Sequence, residues 1–286
     1  MEAISKVLNN QEASMKNLFQ IPADKEFKFA PEREYQCPKC KDVGYILEIR
    51  EKPYVKDGET LQFPYEYAIW CDCRNGAIAK SLFETSGITP EFQEKTIKNF
   101  KTQGLDPIIA KMRDTAVNYY INFERIEKTQ RNSIALLGQS GIGKTHLLMA
   151  LCNNMITNKR KSVKYFPYVE GFDELRSDLD NLENNLNVLK NVDVLFIDDA
   201  FKPVSKQTKD GQRIKVPSAS EWEIKQMYSI INYRHFHHKP IFISSELDFP
   251  GIMELDEALG SRIFEMCKDF YVHVEKNPHL NYRLIS

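Results

Sequence analysis

Eight residues constrain this chain more than any other feature: Gly138-Gln-Ser-Gly-Ile-Gly143-Lys144-Thr145 satisfies G-x-x-x-x-G-K-[ST] at every position. An apolar run at 134–137 leads into it, and an apolar helical pattern continues from it to about residue 157. Strand, glycine loop and helix in that order make a phosphate cradle. Glycines let the backbone curl until consecutive N–H groups face one anion. The start of the helix adds the positive end of its dipole. Lys144 supplies a compact positive charge for the β- and γ-phosphates, and Thr145 a hydroxyl for Mg²⁺. The expected contacts of ATP or ADP are therefore Gly138, Gln139, Ser140, Gly141, Ile142, Gly143, Lys144, Thr145 and the adjoining His146. The bland alternative is a glycine-rich turn that binds nothing.

Such a cradle needs an opposing carboxylate at the end of an apolar strand. Val192-Asp-Val-Leu-Phe-Ile197-Asp198-Asp199 provides it. The apolar residues would fix Asp198 at the carboxyl edge of a sheet, where ligands of open α/β sheets bind. Asp198 is expected to hold Mg²⁺ through water, together with Thr145. Asp199 is expected to polarise an attacking water and, with Lys144, to be catalytic. Its structural alternative is a strand-end cap or a salt-bridge partner.

Beyond residue 107 the apolar pattern alternates. Helices are expected near 107–125, 144–157, 172–190, 220–235 and 252–267. Strands are expected at 134–137, 163–168, 192–197, 240–244 and 270–274, with a polar loop at 202–215. This alternation predicts an α/β fold, a parallel sheet with helices on both faces. Residues 86–103 read as a linker broken by Gly87 and Pro90. The domain boundary is therefore placed near residue 90, with a small partner-binding module at 1–89 and the α/β domain at 90–286. Within 1–20, Ile4, Val7, Leu8, Met15, Leu18 and Phe19 recur at helical spacing. That helix either packs on its own domain or is offered to a partner.

Four of the six cysteines form Cys37-Pro-Lys-Cys40 and Cys71-Asp-Cys73. Four thiolates suit tetrahedral Zn²⁺ and leave no open position, so the expected site is structural. Four unmetallated thiols are the alternative. Two β-rich runs, 45–49 and 63–70, lie between the pairs on either side of an Asp57-Gly58 turn signal. Cys152 and Cys267 stand alone in apolar segments, thiol usage that fits a reducing compartment and an expected cytoplasmic location. No signal-peptide pattern opens the chain, and no window approaches 18 uninterrupted apolar residues, so no membrane association is expected.

Taken together, these motifs resemble the AAA+ ATPases that load replicative helicases, the DnaC/DnaI type, and their transposase-assisting relatives of the IstB type. The resemblance runs from about residue 35 onward. It rests on the P-loop, the Asp198-Asp199 pair, Gly260-Ser-Arg262-Ile-Phe-Glu265, the upstream cysteine module and Asn281-Tyr-Arg283. It implies an ATPase that self-associates on ATP, with a replicative helicase hexamer and single-stranded DNA as partners. Arg262 matches the arginine that completes a neighbouring subunit's ATP site, a role suited to an always-charged, bidentate group. A surface pairing with Glu254, Asp256 or Glu257 is the alternative. The strand ending Ser244-Ser245-Glu246 matches the segment that carries a polar γ-phosphate sensor. An acid occupies Glu246, where the family often has Asn, so Ser244 or Ser245 is taken as the sensor; the alternative is that they satisfy backbone groups. About a dozen residues follow Val274, too few for a full C-terminal lid, which needs roughly 40. The loaders share that economy, and Arg283 is either a second sensor or a tail residue.

The formal net charge of −1 gives no global field for nucleic acid. Two local basic stretches remain. One is Lys159-Arg160-Lys161 with Lys164; the other is 202–215, with Lys202, Lys206, Lys209, Arg213 and Lys215. Each is either a track for single-stranded DNA phosphates or solvated charge. The leading expectation is a helicase loader. The competing ones are a transposase-assisting ATPase, a P-loop small-molecule kinase, and a zinc-dependent DNA-binding adaptor with a vestigial ATP site.

Overall fold

The computed structural model describes residues 34–56, 58–207, 210, 213–216 and 218–282. The helical pattern at 1–20 and Arg283 lie outside the described residues. Two compact units meet at the Cys71–Asp72 bond.

Among its described residues the first unit contains a ribbon of two antiparallel strands, β1 (Tyr45–Lys56) and β2 (Glu59–Trp70). Pairing runs without slip from Tyr45↔Trp70 to Lys56↔Glu59. The reversal is a two-residue turn whose second residue, Gly58, has φ +85°, the hairpin chemistry that Asp-Gly signals. Both strands reach further than the apolar runs predict, because Arg50, Glu51, Lys52 and Lys56 interrupt the pattern without interrupting the ladder. Side chains alternate between two faces, and both faces are exposed. Tyr45, Leu47, Ile49 and Trp70 share one, and Tyr54, Phe63, Tyr65 and Tyr67 the other.

The second unit contains nine α-helices and seven strands among its described residues: α1 (Cys73–Ser86), α2 (Pro90–Gln93), α3 (Pro107–Ile126), β3 (Ile134–Gly138), α4 (Lys144–Thr157), β4 (Val163–Pro167), α5 (Tyr168–Ser177), α6 (Leu182–Asn191), β5 (Val194–Ala200), β6 (Val204–Gln207), β7 (Arg213–Val216), α7 (Glu221–Phe236), β8 (Ile241–Ser245), α8 (Phe249–Leu255), α9 (Glu257–Cys267) and β9 (Tyr271–Val274). Five strands form one parallel sheet in the order β4-β5-β8-β3-β9. Its middle strands begin as unbroken apolar runs because helices cover both faces. Strand alternation divides the core. Ile134, Leu136, Phe196 and Phe242 pack with α3 and α4, while Ala135, Leu137, Ile197 and Ile243 pack with α5 to α9.

Polar side chains decide where several helices start. Asp106 caps α3 ahead of Pro107, and Ser220 with Glu223 forms a capping box on α7. They also split two helices that the apolar pattern predicts as single. The 172–190 helix breaks at Asp178, whose carboxylate accepts from the Asn181 amide at 2.9 Å. The 252–267 helix breaks at Asp256, whose extended backbone lets its carboxylate cap α9 on Leu259 N–H at 2.7 Å.

Two stretches read as connections are structured. Residues 86–103 pack on the domain, with Ile88 and Phe100 buried, and Asn153 of α4 donates to the carbonyls of Phe92, Gln93 and Lys95 at 2.9–3.1 Å. The 202–215 loop contains the antiparallel pair β6–β7. At the opposite, amino end of the sheet Arg234 is fully buried. Its guanidinium donates to the carbonyls of Leu189, Lys190, Val192, Asp193 and Pro240 at 2.7–3.2 Å. Two of these belong to the last turn of α6, the negative end of a helix dipole. Burial still pulls the guanidinium down to about 9.

Candidate nucleotide site and cysteine cluster

The glycine loop leaves β3 at Gly138 and enters α4 at Lys144. Gly138, Gly141 and Gly143 have φ of +124°, +82° and +86°. A Cβ on Gly138 would sit 2.3 Å from the Val274 carbonyl oxygen, so both space and backbone conformation demand glycine there. Lys144 is buried and donates to the Gly138 and Gln139 carbonyls, both at 2.8 Å.

Asp198 meets this loop from β5. One carboxylate oxygen accepts from the Thr145 hydroxyl at 2.9 Å and from Ser244 at 2.5 Å; the other accepts from the Tyr165 hydroxyl at 3.1 Å. Burial holds the Asp198 carboxyl above its ordinary range, with neighbouring Asp199 adding to the rise and the Ser244, Thr145 and Tyr165 hydrogen bonds opposing it. Burial and the Asp198 charge likewise push the Tyr165 phenol up. Asp199 itself has φ +50°, where the β5–β8 pairing shifts register between Ile197 and Ala200. That left-handed backbone costs a non-glycine residue roughly 1–2 kcal/mol. It turns the Asp199 N–H onto the Ser244 hydroxyl at 2.8 Å, while the Asp199 carboxylate faces Lys202 at 3.6 Å.

A cavity of about 640 Å³ lies over the loop, within the usual range for small-ligand sites. Ser140, Gly141, Gly143, Lys144, Thr145, His146, Asp198 and Asp199 line it. Phe92, Lys95, Asn99, Phe100 and Lys101 form its other side, together with Tyr282. His146 joins the two sides through Thr96 O at 3.0 Å and Asn99 Oδ1 at 2.8 Å. The 92–101 wall is the part that motif reading misses. Its signal is present in Ile88, Phe92, Ile97 and Phe100, apolar residues at a density a solvated linker does not carry.

The remaining expected residues stand elsewhere. Ser245 is buried, donating to Ala200 O at 2.6 Å and accepting from Leu247 N. Gln139 points to the chain after β9, pairing with Asn277, and Ile142 is buried in the core with α4. Arg262, on α9, lies 5.1 Å over the Tyr228 ring and donates to Ala258 O at 2.7 Å. In the basic stretch at 159–164, Lys159 pairs with Glu124 at 3.0 Å and Lys161 with Glu127 at 2.6 Å.

The sulfur atoms of Cys37, Cys40, Cys71 and Cys73 all lie within 4.8 Å of one another. Cys37 and Cys71 sulfurs are 3.7 Å apart. A tetrahedron with Zn–S bonds of about 2.3 Å has edges of about 3.8 Å, so the spacing fits that ion. Asp42 shapes the first turn by accepting from Cys37 N–H at 2.8 Å, and Gly44 N–H donates to Cys40 sulfur at 3.4 Å. None of the described helices is long and apolar enough to cross a membrane.

Comparison with known proteins agrees with this geometry. The family model described as the bacterial DnaA ATPase domain matches residues 108–267, more than half of the chain. In Bacillus subtilis (strain 168), the uncharacterized protein YqaM is 40% identical over 280 residues, 88% of this chain and 86% of its own. The phage-like element PBSX protein XkdC of the same organism is 41% identical over 251 residues, 87% of this chain and 86% of its own. Among solved structures, the DnaC helicase loader superposes with a TM-score of 0.51 at 19% identity, over 64% of this chain and 99% of that one. The replication initiator DnaA bound to AMPPCP and single-stranded DNA superposes with a TM-score of 0.50 at 20% identity, over 70% of this chain and 55% of that one. With a P-loop α/β core matched along residues 108–267 and two relatives aligned over most of its length, the chain belongs to the AAA+ family of the bacterial DnaA ATPase domain.

Proposed function

We propose that this protein is an Mg-ATP-dependent AAA+ ATPase that delivers a replicative DNA helicase onto single-stranded DNA. The nucleotide half of the reading rests on one observation. Thr145 and Asp198, far apart in sequence, share a 2.9 Å hydrogen bond at the edge of a cavity whose floor is the glycine loop. Loop amides and Lys144 would hold the phosphates, and Thr145 with Asp198 would hold Mg²⁺, which neutralises phosphate charge when bound. Ser244 positions Asp198 and Asp199 together, since one hydroxyl donates to the first and accepts from the N–H of the second. Asp199, half exposed, would orient the attacking water. Phe92, Asn99 and Phe100 would face the base. Arg262 stands on α9 and would act on a neighbouring subunit's nucleotide, which makes hydrolysis depend on self-association.

The loader half rests on the shared fold of the DnaC helicase loader and on the cysteine unit carried beside it. The expected partner-binding module at 1–89, of which that unit is the part up to Cys71, would grip the helicase once metal is bound. The basic β6–β7 segment at 202–215 would follow single-stranded DNA. Four cysteine sulfurs gathered as for a metal ion fit work in the cytoplasm.

Lys144→Ala is expected to abolish ATP binding; unchanged nucleotide affinity would refute the site. Arg262→Ala is expected to bind ATP normally and hydrolyse it poorly, with partial rescue on mixing with Lys144→Ala subunits. Full hydrolysis by Arg262→Ala alone removes that role. Pull-down of a replicative helicase with and without ATP tests delivery, and capture of a transposase in its place would redirect it.

A further inference from the structure

The chain after β9 turns back onto the glycine loop and grips it at two points. The Gln139 side chain makes a paired contact with Asn277: its amide donates to Asn277 O at 2.6 Å, and its carbonyl accepts from Asn277 N–H at 2.7 Å. Five residues on, the Tyr282 N–H donates to the Gly141 carbonyl at 3.0 Å. Between these points Leu280 is buried in the core, and a 3₁₀ turn (Pro278–Leu280) is capped by Asn277 on His279 N–H at 3.0 Å. The fit is close. A Cβ on Gly141 would fall 2.0 Å from the Asn281 side-chain oxygen. Tyr282 then lines the nucleotide cavity, as Phe92 and Phe100 do.

This contact acts on the part of the loop that must be shaped for phosphate. A trans peptide fixes its C=O and the following N–H in one plane on opposite sides. Holding the Gly141 carbonyl therefore sets the direction of the Ile142 N–H. Holding Gln139 fixes the loop's entry, next to the carbonyls that Lys144 grips. Glycines at +82° and +86° are free to adopt other conformations, so an external restraint on this loop reduces the ordering that nucleotide would otherwise have to impose.

We infer that residues 277–282 form a clasp that preorganises the glycine loop, with Gln139 and Tyr282 as positioning residues for nucleotide. The inference rests on the nucleotide reading proposed above. Clasp and nucleotide stabilise the same loop conformation, so each binds better in the presence of the other. The clasp thus couples occupancy of the cavity to the ordering of residues 277–282.

The test measures affinity for a fluorescent ADP with Mg²⁺ in the full chain, for wild type, Gln139→Leu and Tyr282→Pro. The proline removes the N–H that holds Gly141. Each variant is expected to bind roughly tenfold more weakly, with an unchanged circular dichroism spectrum. Binding equal to wild type in both overturns the clasp and leaves the nucleotide site standing. Failure of wild type to bind overturns both. If either variant misfolds, amide hydrogen exchange on the wild type decides: the N–H groups of Asn277 and Tyr282 are expected to exchange at least severalfold more slowly with ADP present, and equal rates overturn the clasp.

Discussion

In β3 and β8 every residue is buried, whereas along β1 and β2 every residue but Ile69 is exposed. The two regions carry comparable apolar content and place it oppositely. The sheet gains its stability from burial between helices on two faces. The ribbon has two apolar faces and nothing among the described residues covering them, and an isolated two-stranded hairpin is marginal in water. Its ends are tied by the four cysteines, where Cys71 N–H also donates to Gly44 O at 2.9 Å. One region is held by its core, and the other has four cysteine sulfurs gathered at its base.

The sharpest way to break that contrast is to remove metal. Purified protein is expected to carry one Zn²⁺ per chain. Chelation should open the 37–73 region to protease while the melting transition of the sheet unit stays in place, since structural zinc supplies about 10–16 kcal/mol in small modules. Protein with no zinc and four freely alkylated thiols contradicts this. Next in size is a pair of truncations. Phe242→Ala, in the core against Tyr119 at 5.3 Å, should cost about 3–5 kcal/mol by denaturant unfolding. Phe63→Ala on the ribbon should stay within about 0.5 kcal/mol. Equal costs would mean that the ribbon is buried by something the chain supplies.

A smaller effect separates stability from function within the sheet itself. Burial raises the Asp198 carboxyl above its unfolded value, so its contribution favours the folded state below the carboxylate range and is lost as pH rises through the raised pKa. Asp198→Asn should therefore melt higher than wild type without ligand near neutral pH, by roughly 2–4 °C. The gain should shrink as pH falls through the carboxylate range. The same variant should lose stabilisation by Mg-nucleotide. A variant that melts lower than wild type at neutral pH would assign Asp198 a structural role instead.

Regular spacing made the loop, the Asp198 strand and the five-stranded sheet readable in the sequence. Each follows from a local pattern, a fixed motif or an unbroken apolar run. What stayed hidden depends on partners distant in sequence. Asn153 is an ordinary polar helix residue until it is seen holding three carbonyls of 92–95. Tyr165 reads as core, and its ring is packed against Phe196, yet its hydroxyl finishes the Asp198 cluster. Asp178 and Asp256 interrupt helices through side-chain bonds that apolar periodicity does not register. The β6–β7 pair fell below notice because each strand is four residues long and mostly polar.

Arg234 has a consequence for how this domain can move. One guanidinium ties together the last turn of α6, the entry to β5 and the residue preceding β8. None of those segments can shift alone without stranding a buried cation from its oxygens. The amino-terminal rim of the sheet therefore behaves as an anvil. Displacement is left to the opposite rim, where Gly138, Asp198 and Ser245 lie at or near the strand ends.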